Sequence, residues 1–184
     1  MALETGQIAP DFSANDIFGK PVRLSDLRGR RVLLSFFRFI ACPFCNLRVH
    51  ELIAKLPTLQ DSLEIVAVFQ SHPDVLRRHR NIAQFSVHVI GDLEMKLFRL
   101  YQGELSTAKF FTGHARHMGD WVKGVQAGAF DAGTELGELR LVPAEMLIDE
   151  YGIIQRAFYG RDVTDRMPLS EITRFARETV PTES

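Results

Sequence analysis

The chain has 184 residues and a mass of 20.9 kDa, enough for one domain or one domain with an insertion and too short for two ordinary domains. Hydrophobic residues make up 46% and charged residues 24%, a globular composition that excludes a disordered chain. Lys and Arg number 22 against 23 Asp and Glu, so no basic excess points to nucleic acid or an anionic membrane.

Residues 1–6 carry neither a basic segment nor an apolar one, and the longest apolar runs, near Val32–Phe37 and Ile65–Phe69, are strand-sized. The expectation is a soluble cytoplasmic protein with no membrane span. Residues 10–30 read as short extended pieces, with Asp16-Ile17-Phe18-Gly19-Lys20-Pro21 as a turn between Phe12 and Val22. Arg31–Phe39 is a dense Val, Leu and Phe run that fits a strand buried on both faces.

Asn46–Pro57 follows with helical spacing, Val49, Leu52, Ile53 and Leu56, and Pro57 predicts a stop or kink. Leu63–Phe69 is a second buried strand. Ser71 is expected to cap a helix running to about Ala83, with Pro73 and Asp74 in its first turn. Ser86–Ile90 reads as a strand and Leu93–Tyr101 as a helix.

Residues 102–138 hold seven of the 13 glycines and no strong strand, and read as a helical and loop insertion. Phe110, Phe111, Trp121, Val122 and Val125 are expected to pack there as an extra core layer, with a partner surface as the alternative. Val142–Ile148, the turn Asp149-Glu150-Tyr151-Gly152 and Ile153–Phe158 form a hairpin signal, and Pro168–Glu178 closes the chain as an amphipathic helix. The order predicts an α/β fold: a mixed central sheet flanked by helices, one domain over 1–184, with an insertion at about 102–138 before the terminal hairpin.

Both cysteines stand in one motif, Cys42-Pro43-Phe44-Cys45. Two cysteines exclude a disulfide framework and a four-cysteine zinc site. Cys42 ends a strand and opens a helix, where unpaired N–H groups and the helix dipole favour a thiolate. Cys45 lies one turn on, on the same face, placed to attack a bond formed at Cys42. Pro43 removes a donor that the first turn does not need. Arg38, four residues before Cys42, and Arg48, three after Cys45, are candidates to stabilise the thiolate. A redox-active dithiol is the favoured reading. An inert buried pair, or half of a metal site completed by His50 or by His114 and His117, are the alternatives. No metal or other cofactor is expected.

The residues then show a family resemblance. Gly6-Gln7-Ile8-Ala9-Pro10-Asp11-Phe12, Phe18–Gly29 and the strand Val32–Phe37 resemble the opening of the alkyl hydroperoxide reductase/thiol-specific antioxidant family, the peroxiredoxins and their relatives on a thioredoxin fold. The likeness continues through Ser71-His72-Pro73 and Leu147–Gly152. Tyr159–Asp165 resembles the peroxiredoxin-like branch that carries CxxC and a helical insertion.

Pro43-Phe44 is similar to the dipeptide of glutaredoxins. Leu141-Val142-Pro143 resembles the loop that faces the nucleophilic sulfur of dithiol proteins. The resemblance therefore implies a cis Pro143 and a Val142 backbone free to pair with a substrate.

Two departures stand out. Peroxiredoxins place a proline seven residues, and a Thr or Ser three residues, before the attacking cysteine. Counting back from Cys42 finds Ser35 and Phe39; from Cys45, Arg38 and Cys42. Thioredoxin places a Trp just before its first cysteine and an Asp six before it, where this chain has Ala41 and Phe36.

The resemblance implies a thiol–disulfide oxidoreductase with Cys42 as nucleophile and Cys45 resolving, restored by a thioredoxin or glutathione system. The alternatives are a thiol peroxidase acting through a Cys42 sulfenic acid, and a non-catalytic redox-sensing or docking module. A homodimer is compatible with the resemblance.

Overall fold

The structure, a computed structural model, describes residues 2–59, 61–83, 85, 87–116, 118–126 and 137–178. Two short strands, β1 (Ser13–Asn15) and β2 (Pro21–Arg23), pair antiparallel around the expected turn, and a 3-10 turn follows at Leu24–Leu27. The main sheet contains β3 (Val32–Phe37), β4 (Glu64–Phe69), β5 (His88–Gly91), β6 (Ala144–Ile148) and β7 (Ile154–Tyr159), in the order β5-β4-β3-β6-β7. The first three are parallel to one another, and β6 and β7 run antiparallel. Three strands joined by helical crossovers, then a hairpin, is the arrangement that the chain order predicts.

The period of two in β3 sorts the core. Leu33 and Phe37 face α1 (Pro43–Leu59) and α7 (Leu169–Arg177), while Val32, Leu34 and Phe36 face the opposite layer with Phe98 and Tyr101. Phe37 stacks on Phe69 of β4 with ring centroids 4.6 Å apart. These contacts hold the end of β3 rigid, and the functional loop starts there.

Several element boundaries move. The expected helix over 71–83 is two, α2 (Pro73–Arg78) and α3 (Arg80–Ala83), and its cap is His72, whose Nδ1 accepts the Asp74 N–H. Ser71 is used elsewhere: its Oγ accepts the Ile40 N–H at 3.0 Å, fixing the loop before Cys42. The helix expected from Leu93 begins at Lys96, as α4 (Lys96–Leu100), because Asp92 reaches over a left-handed Met95 to accept the N–H groups of Lys96, Leu97 and Phe98. Pro57 does not stop α1, which runs on to Leu59 with Leu56 and Leu59 buried.

The insertion contains two helices among its described residues, α5 (Thr107–Arg116) and α6 (Met118–Gln126), with a non-helical entry in which Leu105 bridges Leu141. Its large apolar residues do not all enter the core: Phe111, Trp121 and Val122 stay exposed. A Cβ at Gly124 would lie 2.1 Å from the Pro43 carbonyl oxygen, so α6 meets the first turn of α1 backbone to backbone, across its glycine. Among the described residues no helix is long and apolar enough to cross a membrane.

Candidate active site

β3 delivers the chain into residues 38–42, and α1 starts at Pro43, as the proline predicts. Asn46, buried one turn into α1, ties this junction down. Its Nδ2 donates to the Ile40 and Cys42 carbonyls, and its Oδ1 accepts from Asn81 of α3 at 2.8 Å. Cys42 and Cys45 are 1% and 0% exposed, so neither sulfur meets solvent in this state.

Arg38 is the group beside the dithiol. Its Nη2 lies 2.9 Å from the Cys42 sulfur, and its Nη1 donates to the Leu139 carbonyl at 3.0 Å. Its Nε is buried without a hydrogen-bond partner. The side chain is 2% exposed, and burial on this scale strengthens its pull on a negative sulfur.

The two thiols are driven apart. Burial opposes charge on Cys42, but hydrogen bonds from the Cys45 thiol and backbone N–H, with the charges of Arg38 and Arg166, outweigh it and hold Cys42 well below the usual thiol range. Burial pushes Cys45 well above that range, and its bond to Cys42 and the Cys42 charge push it further. The arrangement favours negative charge on the first sulfur and the proton on the second.

Arg48 has a different partner. It grips Glu145 of β6 through Nε at 3.1 Å and Nη2 at 3.0 Å, and donates to the Met167 carbonyl at 2.8 Å. Ser35 Oγ and the Met167 N–H also donate to Glu145. Ser35, Arg48 and Glu145 are buried, and together they lock α1 to the sheet and to the loop before α7.

The loop of residues 137–143 borders the site through the Leu139 carbonyl, but not in the expected geometry. No peptide bond among the described residues is cis, so Val142–Pro143 is trans. Nor is the Val142 backbone open: its N–H donates to the Glu104 carbonyl at 2.9 Å, and the Pro143 carbonyl accepts the Gly160 N–H. The insertion supplies Glu104, and this is why the Val142 edge is already paired.

Of the expected residues, the structure brings together Arg38, Cys42, Pro43 and Cys45. Two contributors lie outside the sequence-based expectation. Arg166 places its Nη2 3.7 Å from the Cys45 sulfur across 121 residues, a contact no local pattern signals. Glu145 does leave a trace: a lone carboxylate in the strand Ala144–Ile148 demands a buried partner. Among the described residues no three His, Cys, Asp or Glu cluster as a metal site. His50 is exposed on α1; the His114 side chain and His117 lie outside what is described.

Comparisons with known proteins place the chain among relatives of one family. A bcp-type protein of Helicobacter pylori (strain ATCC 700392 / 26695) is 31% identical over 103 residues, covering 54% of this chain and 66% of that protein. Peroxiredoxin Bcp of Escherichia coli (strain K12) is 31% identical over 77 residues, 41% of this chain and 49% of the relative. The chain therefore spans about half to two thirds of the length of these curated relatives. A yeast mitochondrial 1-Cys peroxiredoxin superposes with a TM-score of 0.68 at 17% identity, over 94% of this chain and 74% of its own, and so shares the thioredoxin fold. With the AhpC/TSA family matching residues 5–157, most of its length, the chain belongs to that family.

Proposed function

We propose that this chain is a thiol peroxidase with two working cysteines, Cys42 attacking and Cys45 resolving. The observation that carries the reading is the buried Arg38–Cys42 contact at 2.9 Å, with α6 packed at Gly124 on the backbone of the adjoining Pro43. A sulfur so enclosed suits a small oxidant. The Val142 N–H, paired with Glu104, offers a protein disulfide no strand to bind.

The Cys42 thiolate attacks one peroxide oxygen, and the O–O bond breaks. The leaving oxygen takes the Cys45 proton and departs as water or an alcohol, and Cys42 becomes a sulfenic acid. The Cys45 thiolate then attacks the Cys42 sulfur. The S–S bond forms, the S–O bond breaks, and hydroxide leaves. Intramolecular attack from one helical turn away makes this second step fast. Arg38, with an unused Nε donor, supplies the polarisation that a Thr or Ser at position 39 would otherwise share. An external thiol, from a thioredoxin or glutathione system, returns two electrons. We place the cycle in the cytoplasm, where such a pair is kept reduced.

Thiol–disulfide exchange is the second reading, favoured by the CxxC spacing on one helix face. The deciding experiment mixes reduced protein with hydrogen peroxide, an organic hydroperoxide or glutathione disulfide, and follows Cys42–Cys45 bond formation by mass. Peroxides are expected to react fastest, and Cys42→Ser is expected to abolish the reaction. If glutathione disulfide reacts fastest, exchange is the function. A failure to turn over with any reductant would leave only a sensing or docking module.

A further inference from the structure

The peroxidase reading leaves open where the electrons return. A cleft of about 320 Å³ opens between the first turns of α1, at Phe44 and Leu47, Asp120 of α6 and the loop of residues 161–166. That volume is at the small end of ligand pockets. Its link to the dithiol is Arg166 and not either sulfur. Arg166 lines it and closes it from the sulfurs, with Nη2 3.7 Å from the Cys45 sulfur and Nη1 on the Asp165 carbonyl.

We propose that this cleft is the binding site for a low-molecular-weight thiol bearing a carboxylate, which reduces the Cys42–Cys45 disulfide by attacking the sulfur of Cys45. The inference rests on the two-cysteine reading above.

Two independent features carry it. The first is direction. In thiol–disulfide exchange the better leaving group is the more acidic thiol. Arg38 and the helix N-terminus stabilise negative charge on Cys42, so the S–S bond breaks toward Cys42 when Cys45 is attacked. The second is the donor inventory of the cleft. Its carboxylates are already engaged: Asp165 by Arg161, Glu51 by Arg48, Asp120 by Lys123, and Asp162 by Thr164 and the Asp165 N–H. Arg166, in contrast, keeps a buried Nε with no hydrogen-bond partner. A ligand carboxylate pairs with the Arg166 guanidinium where it lines the cleft, while the ligand sulfur reaches Cys45 beside Nη2.

The steps balance. The ligand thiolate forms an S–S bond to Cys45, and the Cys42–Cys45 bond breaks to release the Cys42 thiolate. A second ligand thiolate attacks the ligand sulfur of the mixed disulfide. It leaves as the ligand disulfide, and Cys45 takes a proton.

The test starts from protein oxidised with diamide, so that it does not depend on the peroxide step. Reduction by glutathione is quenched in acid and the mixed disulfide is located by peptide mass. Glutathione on Cys45 is expected; glutathione on Cys42 overturns the inference while leaving the two-cysteine reading intact. Failure of diamide to produce the disulfide at all overturns both. Rates are then compared for glutathione and for uncharged 2-mercaptoethanol. Arg166→Gln is expected to slow glutathione about tenfold and mercaptoethanol much less, the size expected for losing one charged hydrogen bond. Arg166→Lys is expected to restore part of the preference. An equal slowing of both thiols, or reduction by thioredoxin alone, removes the site.

Discussion

Arg38 and Arg48 stand ten residues apart on either side of the two cysteines, both at most 3% exposed, yet they do opposite things. Arg48 faces a permanent anion: Glu145 takes its guanidinium, and Ser35 and the Met167 N–H fill the remaining acceptor positions. Arg38 faces a sulfur that is an anion only when deprotonated, and it keeps one N–H unused. The first arrangement is closed and holds the fold. The second is incomplete and is available to chemistry. A buried cation thus stabilises structure when its partner is fixed, and reactivity when its partner can change charge.

The comparison breaks most visibly in stability. Arg48→Met leaves Glu145 buried without its counter-ion and is expected to destabilise the protein by about 3–5 kcal/mol in urea unfolding. Adding Glu145→Leu is expected to recover most of that loss, because an apolar pair needs no counter-charge. If the double variant unfolds as readily as the single one, Arg48 is not defined by this pair.

Arg38→Met is expected to act on the other side of the contrast. Folding stability should change little, since one unpaired buried donor goes with the charge. The Cys42 pKa read from alkylation is expected to rise by about one unit, so that at a pH below it the rate falls by roughly tenfold. Measuring the rate against pH in the wild type and the variant reads the shift directly. A larger effect on unfolding than on reactivity would reverse the roles given to Arg38 and Arg48.

The thiol pair also makes stability depend on pH in a way that separates the two sulfurs. Cys42 is lowered on folding, so its contribution is present above the unfolded thiol pKa of about 8.5 and is lost as pH falls through its folded value. Cys45 is raised, so its contribution is present below about 8.5 and is lost as pH rises through its folded value. The reduced protein is therefore expected to have a stability maximum contributed by the pair near pH 8.5, and Arg38→Met should flatten its acid limb. Chemical denaturation across pH, with thiols kept reduced, measures both limbs.

The smallest effect lies on the loop that Arg38 grips. Arg140 hydrogen-bonds Glu138 and holds its carboxyl down at about 2. That stability is present above the unfolded carboxylate pKa and is lost as pH falls toward 2. Glu138 is partly exposed and Arg140 more so. Solvent screening therefore leaves little of it, and Glu138→Gln should shift the urea midpoint only slightly at neutral pH.

Much of the fold and of the site is legible in local sequence. The period of two in Val32–Phe37, the Pro43 helix start and the one-turn spacing of Cys42 and Cys45 are local, and local sterics and hydrogen bonding impose them. Expected boundaries fail where one side chain reaches across a turn, as Asp92 does past Met95 and as His72 does in place of Ser71. The open Val142 backbone expected beside Pro143 fails for a tertiary reason: the insertion brings the Glu104 carbonyl onto the Val142 N–H.

The sequence by itself determined the succession of strands and helices, the dithiol at a strand-to-helix junction and the membership of a redox fold, because each depends on residues close in the chain. Only the tertiary structure decided which arginine serves the sulfur. Arg38 and Arg48 are both near the cysteines in sequence, but Glu145 comes from 97 residues beyond Arg48 and claims it. Arg166 arrives from 121 residues beyond Cys45 to face the second sulfur. Charge pairing in a buried site is set by which distant strand and loop close over it, and that closure is not written in local spacing.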